Sequence, residues 1–354
     1  MTTTPTSEAP EAISSPAEPS PRRGGSLFRA EVHRFSARRF IRWLLALAVV
    51  VYLIIVTLVG LTQFSKPNAG VLADAERKRD QVIVEQQQFR EQCLNDPKRP
   101  SDVPVEEVCG PEPSADQFRV EDFIDPPAFK LATGLPNGAV AIGVASAMLA
   151  FLIGATYVGA EWSSRSMVAL LFWVPRRIKV MAVKLAVTAA AAALLGVLAQ
   201  AVWWGTAEIL ARTRGNRDNL PVHFWSDLFG QQGRSVLFVV LAALLGFGIA
   251  NLIRNTGASL GVGFVYFAVI ETAVRGFRPR WQEWLLTDNA AALVLNGGHK
   301  IFIYEGAQVD DQGQFVETPR EIVVSNLQGG LVLGIVTAVI VVTGVVLFKR
   351  RDLH

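Results

Sequence analysis

The sequence predicts an all-α, polytopic membrane protein with six transmembrane helices and an extracytoplasmic domain between the first two spans. Three observations predict it. Hydrophobic residues make up 51% of the 354, and Asp, Glu, Lys and Arg only 18%, against a usual charged share of about 25%. The mean hydropathy is +0.32. Six apolar runs reach the roughly 20 residues that cross a hydrocarbon core. A water-facing globule of this length cannot hide so much apolar side chain, and collagenous, coiled-coil or wholly disordered chains are excluded. The formal charge of +3 is too small to favour nucleic acid as a partner, so the placement of the charges carries the information.

Residues 1–25 are polar, and Pro5, Pro10, Pro16, Pro19 and Pro21 interrupt any helix. They predict a disordered cytoplasmic tail. The first apolar run begins only near Ile41, with no small-residue cleavage site after it, which is not the pattern of a secretory signal. Over 26–40, Leu27, Phe28, Val32, Phe35 and Phe40 recur at roughly helical spacing, with Arg29, Arg34, Arg38 and Arg39 between them. This predicts an amphipathic helix on the membrane surface, which equally serves as a positive anchor for the span behind it.

The spans are expected at 41–63, 139–160, 185–207, 235–253, 257–274 and 330–348. The apolar run 167–174 is too short to cross, and predicts a short interfacial or buried helix. The fifth span is the least regular: it is short and carries Glu271 near its end, expected to pair with Arg275 one turn later. Trp43 opens the first span, and Trp203 and Trp204 close the third, where aromatic rings favour the headgroup layer.

Lys and Arg fix the expected orientation. Arg22, Arg23, Arg29, Arg34, Arg38, Arg39 and Arg42 precede the first span. Arg165, Arg176, Arg177, Lys179 and Lys184 lie between the second and third, Arg254 between the fourth and fifth, and Lys349, Arg350 and Arg351 after the sixth. All fall on one side if both termini are cytoplasmic. The segments 65–138, with 9 Lys/Arg against 14 Asp/Glu, and 275–329, with 5 against 7, then lie outside. The stretch 208–234, with Arg212, Arg214, Arg217 and Arg234, fits least well. The predicted organisation is therefore a tail over 1–25, the amphipathic helix over 26–40, a span over 41–63 and an extracytoplasmic domain over 65–138. A five-span remainder over 139–348 and a cytoplasmic tail over 349–354 complete it.

Within 70–94, Ala75, Val82 and Phe89 repeat every seven residues among charges, which predicts a helix. The two cysteines, Cys93 and Cys109, both fall in the domain placed outside, where disulfides persist. A disulfide is expected; the alternative, a metal site, lacks further ligands, since no His lies between positions 34 and 222.

Enzyme constellations are missing from the sequence. There is no G-x-x-x-x-G-K-[ST], no H-E-x-x-H and no G-x-S-x-G, and His33, His223, His299 and His354 are scattered. No catalytic, cofactor-binding or metal-ligating residues are assigned, and the chain is expected to be non-catalytic.

The most informative stretch is GATYVGAEWSSRSMVALLFWVPRRIKVMAVK, residues 154–184. Gly159 and Glu161 end a small-residue-rich span. A polar turn, Ser163–Ser166, leads to the short apolar run, and Pro175, Arg177 and Lys184 follow. This pattern resembles the permease subunits of type-2 ABC transporters, in which a Gly-x-Glu, a polar turn, a short apolar helix and a Pro-x-Arg pattern with a later Lys join spans two and three. Arg165 stands where relatives commonly carry Gly. Residues 28–43 are similar to the family's entry helix, with Glu31 and Arg34 matching, and Phe348, Arg351 and Asp352 are similar to its terminal Phe-x-x-Arg-Asp.

The resemblance implies a permease in the bacterial plasma membrane, exporting an apolar or amphipathic cargo by alternating access. ATP and Mg would be bound by a separate ABC ATPase subunit, and a second permease copy or homologue would complete the pathway. Membrane lipid is the other expected partner. Segment 161–180 would receive the ATPase stroke, with Glu161, Arg165, Pro175, Arg177 and Lys184 as coupling residues and Arg29, Glu31, Arg34 and Arg38 on the entry helix. Glu161 and Arg165 at i,i+4 spacing are expected to pair and hold the turn. Gly143, Ala147 and Gly154, and Ala189–Ala193 with Gly196, permit close helix approach. A different class remains open: a membrane-anchored scaffold or sensor whose extracytoplasmic domain binds a ligand or partner.

Overall fold

A computed structural model describes residues 27–100, 103–173, 176–216, 220–303, 308–309, 315–316 and 319–350. The expected tail over 1–25 lies outside them, as do Pro175, Arg217, Arg351 and Asp352.

The fold is mostly helical. Helix α1 (Leu27–Ala37) breaks at Arg38 and continues as α2 (Arg39–Thr62). Then come α3 (Ala69–Leu94), α4 (Val105–Cys109) and strand β1 (Phe129–Lys130). Helices α5 (Leu131–Ser163), α6 (Ser166–Trp173) and α7 (Arg177–Arg214) follow, then β2 (Gly215–Asn216). Next are α8 (Phe224–Ile253), α9 (Thr256–Val265), a π-helical turn over Tyr266–Ile270, and α10 (Glu271–Phe277). Helix α11 (Leu286–Val294), strands β3 (His299–Ile303), β4 (Gln308–Val309), β5 (Phe315–Val316) and β6 (Arg320–Val324), and helix α12 (Asn326–Arg350) complete the chain. Among the described residues, six helices are long and apolar enough to cross a membrane: α2, α5, α7, α8, the continuous α9–α10 rod and α12.

The spans are longer than the hydropathy predicts, α5, α7 and α8 by the most. α5 begins at Leu131 rather than 139 and carries Pro136 in its second turn, at the loss of one intrahelical hydrogen bond. Gln231 on α8 donates to the Pro136 carbonyl at 3.4 Å and Trp203 on α7 donates to the Leu135 carbonyl at 2.9 Å, holding this turn. α7 runs 38 residues and α8 30, so much of 208–234 is helix instead of loop.

The all-α reading also missed a ladder. β3 and β6 pair antiparallel, His299 opposite Val324 and Ile303 opposite Arg320. Their sequences HKIFI and REIVV are rich in β-branched residues, as strands favour. Ile301, Ile303 and Val324 turn inward onto Ala292 of α11.

α5 and α8 form the tightest pair. A Cβ on Gly154 would collide with the Ala243 carbonyl, and one on Gly246 with the Phe151 carbonyl. Only glycine lets these backbones touch, which is how helices associate where lipid is as apolar as the side chains. Ala147, Ala150, Ala192, Val239 and Ala243 pack the centre. α2 is peripheral; Ile41 and Gly60 are its only buried residues, and Tyr52 shares a 2.5 Å hydrogen bond with Thr206 of α7.

Segment 65–130 joins the ends of α2 and α5. The Asn68 side chain caps α3, accepting from the Val71 amide at 2.9 Å. Ala75 is buried as its heptad position predicts, whereas Phe89, two heptads on, is exposed. Cys93 at the end of α3 is disulfide-bonded to Cys109 of α4, with Cα atoms 5.6 Å apart. Closing this loop contributes about 3 kcal/mol in the chain-entropy account.

Candidate functional site

α1, the end of α5, the start of α7, the α8–α9 turn and the end of α12 converge at one end of the bundle. Their meeting point is a buried ion network. Lys184, in the second turn of α7, is fully buried, as is Glu31 of α1; Glu161 of α5 is 5% exposed. The Lys184 Nζ donates to Glu31 Oε2 at 2.6 Å and to Glu161 Oε1 at 3.0 Å, and sits 2.8 Å from Glu161 Oε2. Arg38, at the α1–α2 break, donates to Glu161 Oε1 at 2.7 Å. The buried Tyr157 hydroxyl donates to Glu31 Oε2 at 2.7 Å, and Arg34 lies 3.2 Å from Glu31 Oε1. Both Arg38 and Lys184 stand about 5 Å from the face of the Tyr157 ring, at 4.9 and 5.0 Å.

The arrangement explains why α1 folds onto the bundle. Its buried residue is Glu31, while Phe28 and Val32 stay exposed. The helix therefore docks through its acid and through Phe35, edge-on to Tyr157 at 5.0 Å, while Phe28 and Val32 of the apolar stripe face outward. Burial alone pushes the Glu31 carboxyl upward. The Lys184 ammonium, the Tyr157 hydroxyl and Arg34 together outweigh that and hold it below its ordinary value.

Other expected site residues fall around this core. Glu161 does not pair with Arg165. Helix α5 ends at Ser163, so Arg165 lies beyond the helix, at φ 55, and the i,i+4 geometry is lost. The polar turn closes on itself: the Ser166 hydroxyl donates to the Glu161 carbonyl at 3.4 Å and lies 3.0 Å from the Ser164 hydroxyl. Arg177 donates to the Phe348 and Lys349 carbonyls at 3.5 and 3.3 Å, capping the last turn of α12. Arg29 is exposed on α1 and engaged in a contact of its own. At Gly159 a Cβ would collide with the Thr256 hydroxyl, so this glycine lets α9 start against α5.

A second set of contacts was not foreseen. The Trp162 indole donates to Asn251 at 3.3 Å, packs edge-on against Phe348 at 5.7 Å, and lies under the Arg254 guanidinium at 4.3 Å. Trp162 thus ties α5 to α8 and α12. Tyr157 was also missed, although its place one turn before Glu161 is a visible signal that both face one side.

The short helix α6 hangs between these anchors. Met167 is buried in the same core as Tyr157, Met181 and Phe348, and Phe172 is 84% exposed.

Glu271 belongs to another cluster, at the opposite end. It is buried, lies 3.7 Å from Arg275 as the spacing predicts, and accepts from the Thr287 amide at 3.1 Å and from the Thr287 hydroxyl. Arg275 approaches Asp288 more closely, at 2.8 Å, and His299 lies 3.6 Å from Asp288.

No group of His, Cys, Asp and Glu among the described residues has the placement of a metal site. No family model and no curated protein matches the chain.

Proposed function

We propose that the chain is the permease subunit of a type-2 ABC exporter, working with a separate ATPase subunit and a second permease copy or homologue. One observation carries this reading. Glu161, in the last turn of the helix that enters α6, and Lys184, in the second turn of the helix that leaves it, meet Glu31 of α1 in one buried network. Charges buried this way cannot part without leaving an ion unpaired, at a cost of about 3–5 kcal/mol. A push on α6 therefore moves α1, α5 and α7 together. The basic end would face the cytoplasm, and segment 65–130, with its disulfide, the outside, where such bonds persist. ATP and Mg would sit on the partner, and the cargo would be apolar or amphipathic.

This reading moves the contact with the ATPase from the charged residues to the exposed face of α6. The test co-expresses the chain with P-loop ATPase subunits drawn from its own genome. One of them is expected to co-purify, and Phe172→Glu is expected to lower co-purified ATPase several-fold at normal expression, since Phe172 is exposed. Failure of any P-loop protein to co-purify with the wild type, or ATP hydrolysis by the chain alone, overturns the proposal and leaves the scaffold or sensor reading.

A further inference from the structure

A cleft of about 220 Å³ opens beside the ion network, lined by Arg38, Phe40, Ile41, Thr156, Ala160 and Thr256. It lies where α1 turns into α2, against the end of α5 and the start of α9. Its walls are almost wholly apolar. Of its lining residues, Phe40 is 57% exposed, and Ile41 and Thr156 are buried. The one charged residue on it, Arg38, is 24% exposed by side chain and already bound to Glu161.

The surrounding charge is one-sided. There is no Asp or Glu between residues 32 and 73, 162 and 207, or 228 and 270. Among the described residues of this end the carboxylates Glu31 and Glu161 are buried and engaged by Lys184, Arg38 and Arg34. Arg39 and Arg42, both exposed, follow Arg38 on the first turn of α2 next to the cleft lining, Arg42 donating to the Ala37 carbonyl at 3.4 Å, and Trp43, of a residue type that favours the headgroup layer, is 74% exposed beside them.

We infer that this cleft is a binding site for one anionic phospholipid, its phosphate on Arg38, Arg39 and Arg42 and an acyl chain along Phe40, Ile41 and Ala160. An apolar groove with Arg38 on its wall and two exposed arginines next to it matches both halves of such a molecule. A zwitterionic lipid offers the chain without the charge, and free phosphate offers the charge without the chain. Juxtamembrane arginines each attract anionic lipid by about 1 kcal/mol, near five-fold in affinity. Arg38 would then be shared between the lipid phosphate and Glu161, so the occupied site touches the ion network directly.

The test uses the full chain, extracted from bilayers holding equal phosphatidylglycerol and phosphatidylcholine of matched chains, with retained lipids counted by native mass spectrometry. One retained phosphatidylglycerol per chain is expected. Arg39→Gln and Arg42→Gln are each expected to lower retention about five-fold. Ala160→Phe, which fills the cleft and leaves every charge in place, should abolish it, and excess inorganic phosphate should not displace the lipid. Equal retention of both lipids overturns the inference, as does unchanged retention in Ala160→Phe or displacement by phosphate. If the arginine variants keep the lipid but lose the co-purified ATPase, the arginines serve a protein partner and the lipid site is overturned. Expression and monodispersity of each variant are measured alongside; Ala160→Leu, a smaller filling, replaces Ala160→Phe if the latter fails to fold.

Discussion

The two ends of the bundle each bury a pair of carboxylates, and they treat them differently. At the basic end Glu31 and Glu161 share Lys184, which has no exposed surface. At the far end Glu271 and Asp288 share Arg275, whose side chain is 39% exposed. The first network joins residues 153 and 123 positions apart. The second joins Glu271 to Thr287, 16 positions on. A sealed network between distant segments fixes topology, because its ions have no water to fall back on. A local one with a wet cation staples a turn, and solvent takes up part of any loss.

The largest expected effect tests this contrast directly. Lys184→Met keeps the bulk of the side chain and removes its fully buried charge, leaving Glu31 to Tyr157 and Arg34 and Glu161 to Arg38. It is expected to cost about 3–5 kcal/mol and to abolish monodisperse protein after extraction. Arg275→Met should cost only about 1–2 kcal/mol, because Thr287 still serves Glu271 and His299 still lies beside Asp288. Equal losses in the two variants, read from the heat-induced loss of the monodisperse peak, break the comparison.

How much of this was legible in the sequence depended on the range of the interaction. The six spans were, because each is a local excess of apolar side chain. So was the Glu271–Arg275 contact, because i,i+4 neighbours on a helix meet regardless of the rest of the fold. Glu31, Glu161 and Lys184 were each singled out, but not their meeting. Glu161 was expected to face Arg165, since helical spacing offers a nearby cation and says nothing of one 23 residues away across a turn. The attachment of α1 through Glu31 was not legible for the same reason: periodicity finds apolar stripes and says nothing of an acid that meets a distant lysine. The β3–β6 ladder was missed because its strands are five residues each, too short to outweigh the surrounding helical pattern.

Acid should sharpen the same comparison by a smaller amount. Glu31 is held below its ordinary carboxyl value, 4.5. A carboxylate depressed in the folded state contributes stability that is present above the unfolded value and is lost as pH falls through the folded one. Between pH 7 and about 5 the contribution is intact. Below 4.5 it declines. Wild type and Glu31→Gln are therefore expected to differ in thermal midpoint at neutral pH and to converge as pH drops under that value. A gap that stays constant down to the acid limit contradicts the assignment of Glu31 as a buried anion.

The smallest effect isolates the turn from the network. Arg165 adopts φ 55 just past the end of α5, a conformation that costs a residue with a Cβ about 1–2 kcal/mol. Arg165→Gly removes that cost but adds about 0.5–1 kcal/mol of chain entropy in the unfolded state. The expected net is a gain of about 0.5–1 kcal/mol, from the two opposing terms. Arg165→Ala keeps the Cβ and so keeps the strain; it should leave the midpoint unchanged, because Glu161 is held by Lys184 and Arg38 instead. The pair of variants separates backbone from charge. If Arg165→Ala destabilises on the scale of Lys184→Met, Glu161 depends on Arg165 after all, and the network as drawn is wrong. If both variants gain equally, the arginine side chain and not its left-handed backbone is what costs stability at this turn.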